Sequence, residues 1–245
     1  MNSAAELDCI DCLNCRHRTL RVFCDLHAEA LEEFSAMGAL RRIPSGSELF
    51  AESTPVHEVF VLCHGKVKLV STSRQGKSLV LKIARPGDVL GLGAAVSGNL
   101  HEVTAVATEP VQVKVIPRSD LLSFLDRNAE GGVHAARSVS AEYESAFVGA
   151  RRLALSSSSS AKLASLLLEW ARIPASPDKA GQSPQQNGNP RFLMPLTHEE
   201  IAGMIGSTRE TVTRTLNRFK RDRLIEIKGA SIHLIAPEKL QEFVA

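Results

Sequence analysis

The segment from Leu196 to Ile235 admits few backbones. Leu196-Thr197-His198-Glu199-Glu200-Ile201-Ala202 opens a helix, with Thr197 as N-cap and Glu200 three residues on, the pattern of a capping box. Ala202 is small where a second helix must cross closely, and Gly206 supplies the tight turn. Ser207 or Thr208 then caps a second helix that runs through Phe219. Along it Val212, Leu216 and Phe219 recur at i, i+4 and i+7 and face inward. Arg209, Glu210, Thr213 and Arg214 share the opposite face near the N-terminus. Leu224 to Ile227, a tip of Lys228-Gly229-Ala230, and Ser231 to Ile235 follow as a hairpin wing. Cap, glycine turn, polar face and wing fall in register, which specifies a winged helix-turn-helix.

The side chains on the polar face suit the edges of base pairs in double-stranded DNA. Arginine donates two hydrogen bonds to guanine O6 and N7, and glutamate accepts from cytosine N4. Between Thr208 and Arg223 stand Arg209, Arg214, Arg218, Lys220, Arg221 and Arg223, against Glu210 and Asp222. Such an excess also describes a solvated helix face. A glutamate beside phosphates is electrostatically costly, however, so Glu210 among arginines points to a specific contact. Thr197, Thr208, Arg218 and Lys228 complete the candidate DNA-binding set, Lys228 at the wing tip where a phosphate passes.

Upstream the texture changes. Between residues 40 and 118, short β-like runs such as Val59 to Leu62, Val67 to Val70, Ser78 to Ile83 and Val111 to Ile116 are punctuated by Gly65, Gly76, Gly87 and Gly98. That spacing predicts a small antiparallel β-roll. From Arg118 to about Leu155 the chain reads as helix. Ala136, Val139, Tyr143, Ala146, Ala150 and Leu153 alternate steps of three and four, an a/d seam. Such a stripe can pack on the chain's own roll. A partner helix is favoured, because DNA readers of this kind pair to match two half-sites. The alanines bury little apolar area per layer, so the homodimer is expected to be weak.

Ala161 to Ala171 reads as another helix, and Pro174 to Pro190, rich in Pro, Ser, Gln and Asn, as a mobile loop. The expected class is α+β: a cysteine-rich segment (1–30), a cupin-like β-roll (31–118), a dimerisation helix (119–156) and a winged helix-turn-helix domain (157–245).

Of 245 residues, 44% are hydrophobic and 23% charged, the formal net charge is +2, and no apolar run is long enough to span a bilayer. The first residues lack the basic start and apolar stretch of a secretory signal, which predicts a cytoplasmic protein with no membrane partner. The five cysteines are then ligands or reactive thiols before they are disulfides. Cys9-x2-Cys12-x2-Cys15 is the opening of the bacterial ferredoxin run, in which thiolates hold irons of a [4Fe–4S] cube. The fourth ligand of that run falls near Thr19, which cannot serve, so Cys24 is the candidate replacement. Zinc sites more often use two separated cysteine pairs. Zinc and a thiol–disulfide switch remain the alternatives. Cys63 reads as a small buried hydrophobe before a ligand, and His17 and His27 as ordinary surface residues. No phosphate loop, nucleophile elbow or HExxH sequence marks an enzyme. A cyclic-nucleotide-binding regulatory subunit or an iron–sulfur electron carrier would each leave part of the chain unexplained.

Ile201-Ala202 followed by Ile205-Gly206-Ser207-Thr208-Arg209-Glu210-Thr211-Val212-Thr213-Arg214 resembles the CRP/FNR superfamily of bacterial transcription regulators, and the order of roll, long helix and winged helix resembles it over nearly the whole chain. The resemblance implies base contacts at Arg209, Glu210 and Arg214, half-sites with a TGA core, and RNA polymerase as a partner. Arg209 looks like the cyclic-AMP receptor version, favouring TGTGA. Thr213 looks like the oxygen-responsive branch, favouring TTGAT. In relatives that bind cyclic AMP, a glutamate holds the ribose and an Arg-Ser pair the phosphate. Here Leu92 and His101-Glu102 stand in those places, which speaks against cyclic AMP, though not against another small molecule. The oxygen-responsive branch takes a distant cluster ligand from the roll, and no cysteine stands near Lys114, where it is expected.

Overall fold

Alternation along two central strands sets the layering of the N-terminal part. In β3 (Glu58–His64), Phe60 and Leu62 enter one core while Val59 and Val61 enter another. In β8 (Val111–Pro117), Val111, Val113 and Val115 join the first core and Ile116 the second. A strand buried on both faces is sandwiched between layers. The computed structural model describes residues 12–15, 18, 23–76, 78–172, 185–186, 189–194 and 196–244. These fall into two units, Met1–Ala146 and Phe147–Ala245.

In the first unit, β1 (Ala39–Ile43), β8, β3 and β6 (Val89–Leu90) form one sheet in that order. β2 (Glu48–Phe50), β7 (Thr104–Ala107), β4 (Val67–Thr72) and β5 (Ser78–Ala84) form the other. The described pairings are antiparallel, giving the expected roll. The first core fills the space between the sheets. The second lies outside the β3–β8 face and collects α1 (Ala28–Ala36), α2 (Leu92–Ser97), α3 (Arg118–Arg127) and the start of α4 (Ala129–Leu155). Phe34 stands between Phe23 and Phe124, with ring centroids 5.5 and 5.9 Å away.

The helical stretch expected from Arg118 is broken once. Asn128 leaves helical geometry (φ −120°, ψ 99°) and its Oδ1 accepts from the Gly131 N–H at 3.1 Å, restarting the chain as α4. Asparagine competes locally with the backbone in this way. Gly131 is required by packing: a Cβ there would lie 2.5 Å from Cε1 of the fully buried Phe124. Gly131→Ala is therefore expected to lower stability by roughly 1–3 kcal/mol, read from urea denaturation of the full chain. An unchanged midpoint would mean that Phe124 has room to move.

Two side-chain contacts tie α1 to this α3–α4 junction: His27 Nδ1 meets Glu130 Oε1 and Arg127 pairs with Glu33, each at 2.5 Å. The His27 backbone N–H also donates to Glu130 and, with the side-chain contact, holds that carboxyl below its ordinary range. Lys114, buried on β8, donates to the Ser35 carbonyl at 2.8 Å, capping the C-terminal turn of α1. The position where a distant cluster cysteine was expected thus holds a buried cation that fastens α1 to the roll.

In the second unit α5 (Ser159–Arg172), α6 (His198–Ile205) and α7 (Arg209–Arg221) pack together, and a sheet of order β11 (Ile225–Lys228), β12 (Ser231–Leu234), β10 (Asn189–Leu193) and β9 (Gln185–Gln186) flanks them, with α8 (Pro237–Gln241) last. Most of the expected Pro174 to Pro190 loop lies outside the described residues. Within it Gln185-Gln186 instead pairs as β9 with Asn189-Pro190 at the start of β10, and beyond it Phe192 of β10 is buried opposite Ile232. The last turns of α4 are held to α5 by Arg152 with Glu169. Among the described residues no helix is long and apolar enough to cross a membrane.

Candidate nucleic-acid interface

The cap and the turn place α7. Thr197 accepts from the Glu200 N–H while the Glu200 carboxylate accepts from the Thr197 N–H, so the capping box read from sequence forms. Gly206 ends α6 at φ +61°, a conformation that favours glycine. Ser207 then meets Ser159 of α5 through their hydroxyls at 3.1 Å. Thr208 caps α7 by accepting from the Thr211 N–H. Val212, Leu216 and Phe219 are buried, as their spacing required, and Thr215 with them.

The face left open is lined by Arg209, Glu210, Thr213, Arg214, Asn217, Arg218 and Arg221. Asn217 was not singled out from sequence, and Arg221 was counted there only within the basic excess. The signal was present, since they continue the row of Arg209 and Thr213 at i+4 steps. Glu210 is fully exposed, and its carboxyl is held below the ordinary range by its own backbone N–H, by the Thr208 hydroxyl and by Arg209. It is an acceptor-only carboxylate at neutral pH, as a contact to cytosine N4 requires. Among the described residues neither Arg209 nor Arg214 forms an ion pair. Arg218 is partly engaged, with Asp222 at 3.6 Å and over the Phe243 ring at 5.5 Å. Lys228 is exposed at the tip of the wing, beside Glu226 at 2.9 Å. Thr213 makes contacts beyond this face: its hydroxyl donates to the Arg209 carbonyl at 2.9 Å and meets His198 Nδ1 at 2.8 Å.

Along α4, the expected seam residues divide. Val139 packs against the helix-side core of the first unit, and Leu153 stands beside Gly206. Ala136, Tyr143, Ala146 and Ala150 are exposed. Ser140 and Phe147 are exposed too, Phe147 to 55%, so the open stripe runs Ala136, Ser140, Tyr143, Phe147, Ala150. Phe147 was missed because it sits one step off the a/d pattern.

Of the cysteines, Cys9 lies outside the described residues, as does His17. Cys12, Cys15 and Cys24 are half-buried, and the Cys15 N–H reaches the Cys12 carbonyl at 3.4 Å, placing those two on one turn. Cys12 and Cys24 pack against the core that also holds Val139. Cys63 is buried, its thiol directed to the Val61 carbonyl at 3.6 Å. His27 is exposed, as expected of a surface residue, and its ring also meets Glu130. In the roll, Leu92 is a core residue at 1% exposure. His101 is buried and stacked on Phe50 at 3.9 Å, and a Cβ at Gly91 would lie 3.0 Å from its Cε1. Burial, and after it the nearby His57, push its pKa below the usual imidazole range.

Comparison with known proteins covers both units. Residues 40–128 match the cyclic nucleotide-binding domain and residues 161–243 the Crp-like helix-turn-helix domain. The nitrogen fixation regulation protein FixK of Bradyrhizobium diazoefficiens is 26% identical over 96% of this chain and 94% of its own length. The electron transport regulator A of Shewanella oneidensis is 26% identical over 97% and 92%. Among solved structures, FixK2 from Bradyrhizobium japonicum superposes with a TM-score of 0.69 at 21% identity, over 84% of this chain and 97% of that one. A CooA variant from Carboxydothermus hydrogenoformans gives 0.70 at 20% identity, over 89% and 91%. With a roll of the first kind followed by a long helix and a helix-turn-helix of the second, this chain belongs to the CRP/FNR superfamily of DNA-binding transcription regulators.

Proposed function

We propose that the protein reads, as a homodimer, a palindromic DNA site with TGA-containing half-sites, and that an N-terminal [4Fe–4S] cluster on Cys9, Cys12, Cys15 and Cys24 controls that reading. The observation that carries the DNA part is the open face of α7, where Arg209 and Arg214 form no ion pair among the described residues and stand beside the ionised Glu210. Arg209, Glu210 and Arg214 take bases, Thr197, Thr208, Arg218 and Lys228 the backbone, and RNA polymerase is engaged by the bound dimer. The stripe from Ala136 to Ala150 is the dimer seam, with Tyr143 and Phe147 supplying most of its apolar area.

The cysteine part rests on donor chemistry and on packing. Soft thiolates in consecutive x2 spacing suit iron, and half-buried Cys12, Cys15 and Cys24 are shielded as a cluster needs. Such a group supplies iron–sulfide bonds that oxygen or nitric oxide break. Cys12, Cys24 and Val139 share one core, and His27 of the following turn is bound to Glu130 at the head of α4. A change at the thiolates therefore reaches the helix that pairs the protomers, and a weak dimer shifts readily.

Anaerobic purification followed by iron, sulfide and zinc assays, a visible spectrum and DNA titration tests this. Expected are a brown protein with about four irons per chain, bleaching in air, loss of colour in Cys12→Ala, and a change in DNA affinity on bleaching. A colourless protein holding zinc would make the segment structural. Equal affinity of the loaded and stripped forms would end the proposed coupling.

A further inference from the structure

The contacts of Thr213 deepen the DNA reading and rest on it. Thr213 lines the open face of α7 with Arg209, Glu210 and Arg214, so it lies where a base edge passes. Its hydroxyl has a single hydrogen. A carbonyl can only accept, so the 2.9 Å contact to the Arg209 carbonyl consumes that hydrogen. The contact to His198 Nδ1 at 2.8 Å must then run the other way, with Nδ1–H donating to the threonine oxygen. His198 is the first residue of α6, placed there by the Thr197 cap, and is half-buried. One bond from its own helix and one from the neighbouring helix therefore fix the hydroxyl's orientation.

We propose that His198 is a positioning residue for DNA specificity, fixing Thr213 so that its methyl group, rather than its hydroxyl, is presented to the groove and reads the C5-methyl of a thymine. With its hydrogen committed, the hydroxyl has nothing to donate to guanine O6 or N7, or to thymine O4. The groups that remain for a base are the methyl and one congested lone pair. Apolar contact with a threonine methyl is a recognised way to select thymine. This differs from a freely rotating hydroxyl, which accepts or donates to either kind of edge. The chemistry selected is a 5-methylpyrimidine at one position of each half-site.

The test uses full-length protein and a duplex enriched by that protein from a randomised pool, with each thymine replaced in turn by deoxyuridine, which removes the methyl and nothing else. At one thymine per half-site the replacement is expected to weaken binding about fourfold, and about fifteenfold when made in both, the effect of one buried methyl group. Thr213→Ser should abolish the difference between thymine and uracil, whereas Thr213→Val, which keeps the methyl and lacks the hydroxyl, should retain it. His198→Ala should shrink the difference. His198→Asn, which returns an N–H donor at the δ position, should restore it. A loss of stability alone moves none of these ratios. Specific binding with no uracil-sensitive thymine, or a ratio lost equally in Thr213→Val and Thr213→Ser, would overturn the proposal while leaving the DNA reading intact. No enrichment of any sequence would instead overturn the reading on which it rests.

Discussion

Arg214→Ala lowers specific DNA binding by about 30-fold to 10⁴-fold and leaves the folded state unchanged. A bidentate arginine–guanine contact is worth roughly 1–3 kcal/mol of discrimination, and the proposed dimer would make it twice. Arg214 is exposed on the face of α7 opposite Val212, Leu216 and Phe219, so its removal disturbs none of the packing that holds the helix. Anisotropy titrations of a selected and a scrambled duplex, at one salt concentration, separate the two kinds of binding. The selected duplex should lose most of its advantage. Parallel weakening of both duplexes would assign Arg214 to the phosphates, and no change would remove it from the interface.

The second large effect is on stability. Arg152 is 3% exposed as a side chain, and its Nε has no hydrogen-bond partner among the described residues. Its charge is balanced by Glu169 of α5, which is about one-third exposed. Removing one member of a buried pair leaves the other charge uncompensated, at a cost of about 3–5 kcal/mol. The partial exposure of Glu169 places Glu169→Ala at the lower end of that range. A double replacement, Arg152→Met with Glu169→Leu, removes both charges and should recover most of the loss. Trp170, the chain's one tryptophan, adjoins Glu169 and is buried, so urea unfolding followed by its fluorescence reports this unit directly. A Glu169→Ala midpoint within error of the parent would mean that water already reaches Arg152.

Features set by local chemistry were legible in the sequence. The Thr197–Glu200 capping box, the Gly206 turn and the buried row of Val212, Leu216 and Phe219 need no information beyond their own helices, and each forms as read. The alternation in Val111 to Ile116 likewise gave the roll. Tertiary context decided the rest. Val139 fits the a/d spacing and Phe147 falls one step off it, yet contact with the roll-side helices covers Val139 while Phe147 stays open. Within the Pro-rich stretch, Gln185-Gln186 and Asn189-Pro190 are too short and too interrupted to show a period, and pairing with each other makes them strand. Lys114 reads as an ordinary strand lysine until α1 is placed with its last carbonyls above it. The His198–Thr213 contact joins residues on different helices, and nothing in either helix alone announces it.

The dimeric reading of TGA half-sites is tested most directly by selecting duplexes from a randomised pool with the full-length protein, in air-free buffer, and sequencing what is retained. The expected product is an inverted repeat with TGA in each arm, the arms separated so that two α7 helices enter successive major grooves on one side of the duplex. Enrichment of single, unrepeated sites, or of repeats lacking TGA, would contradict it.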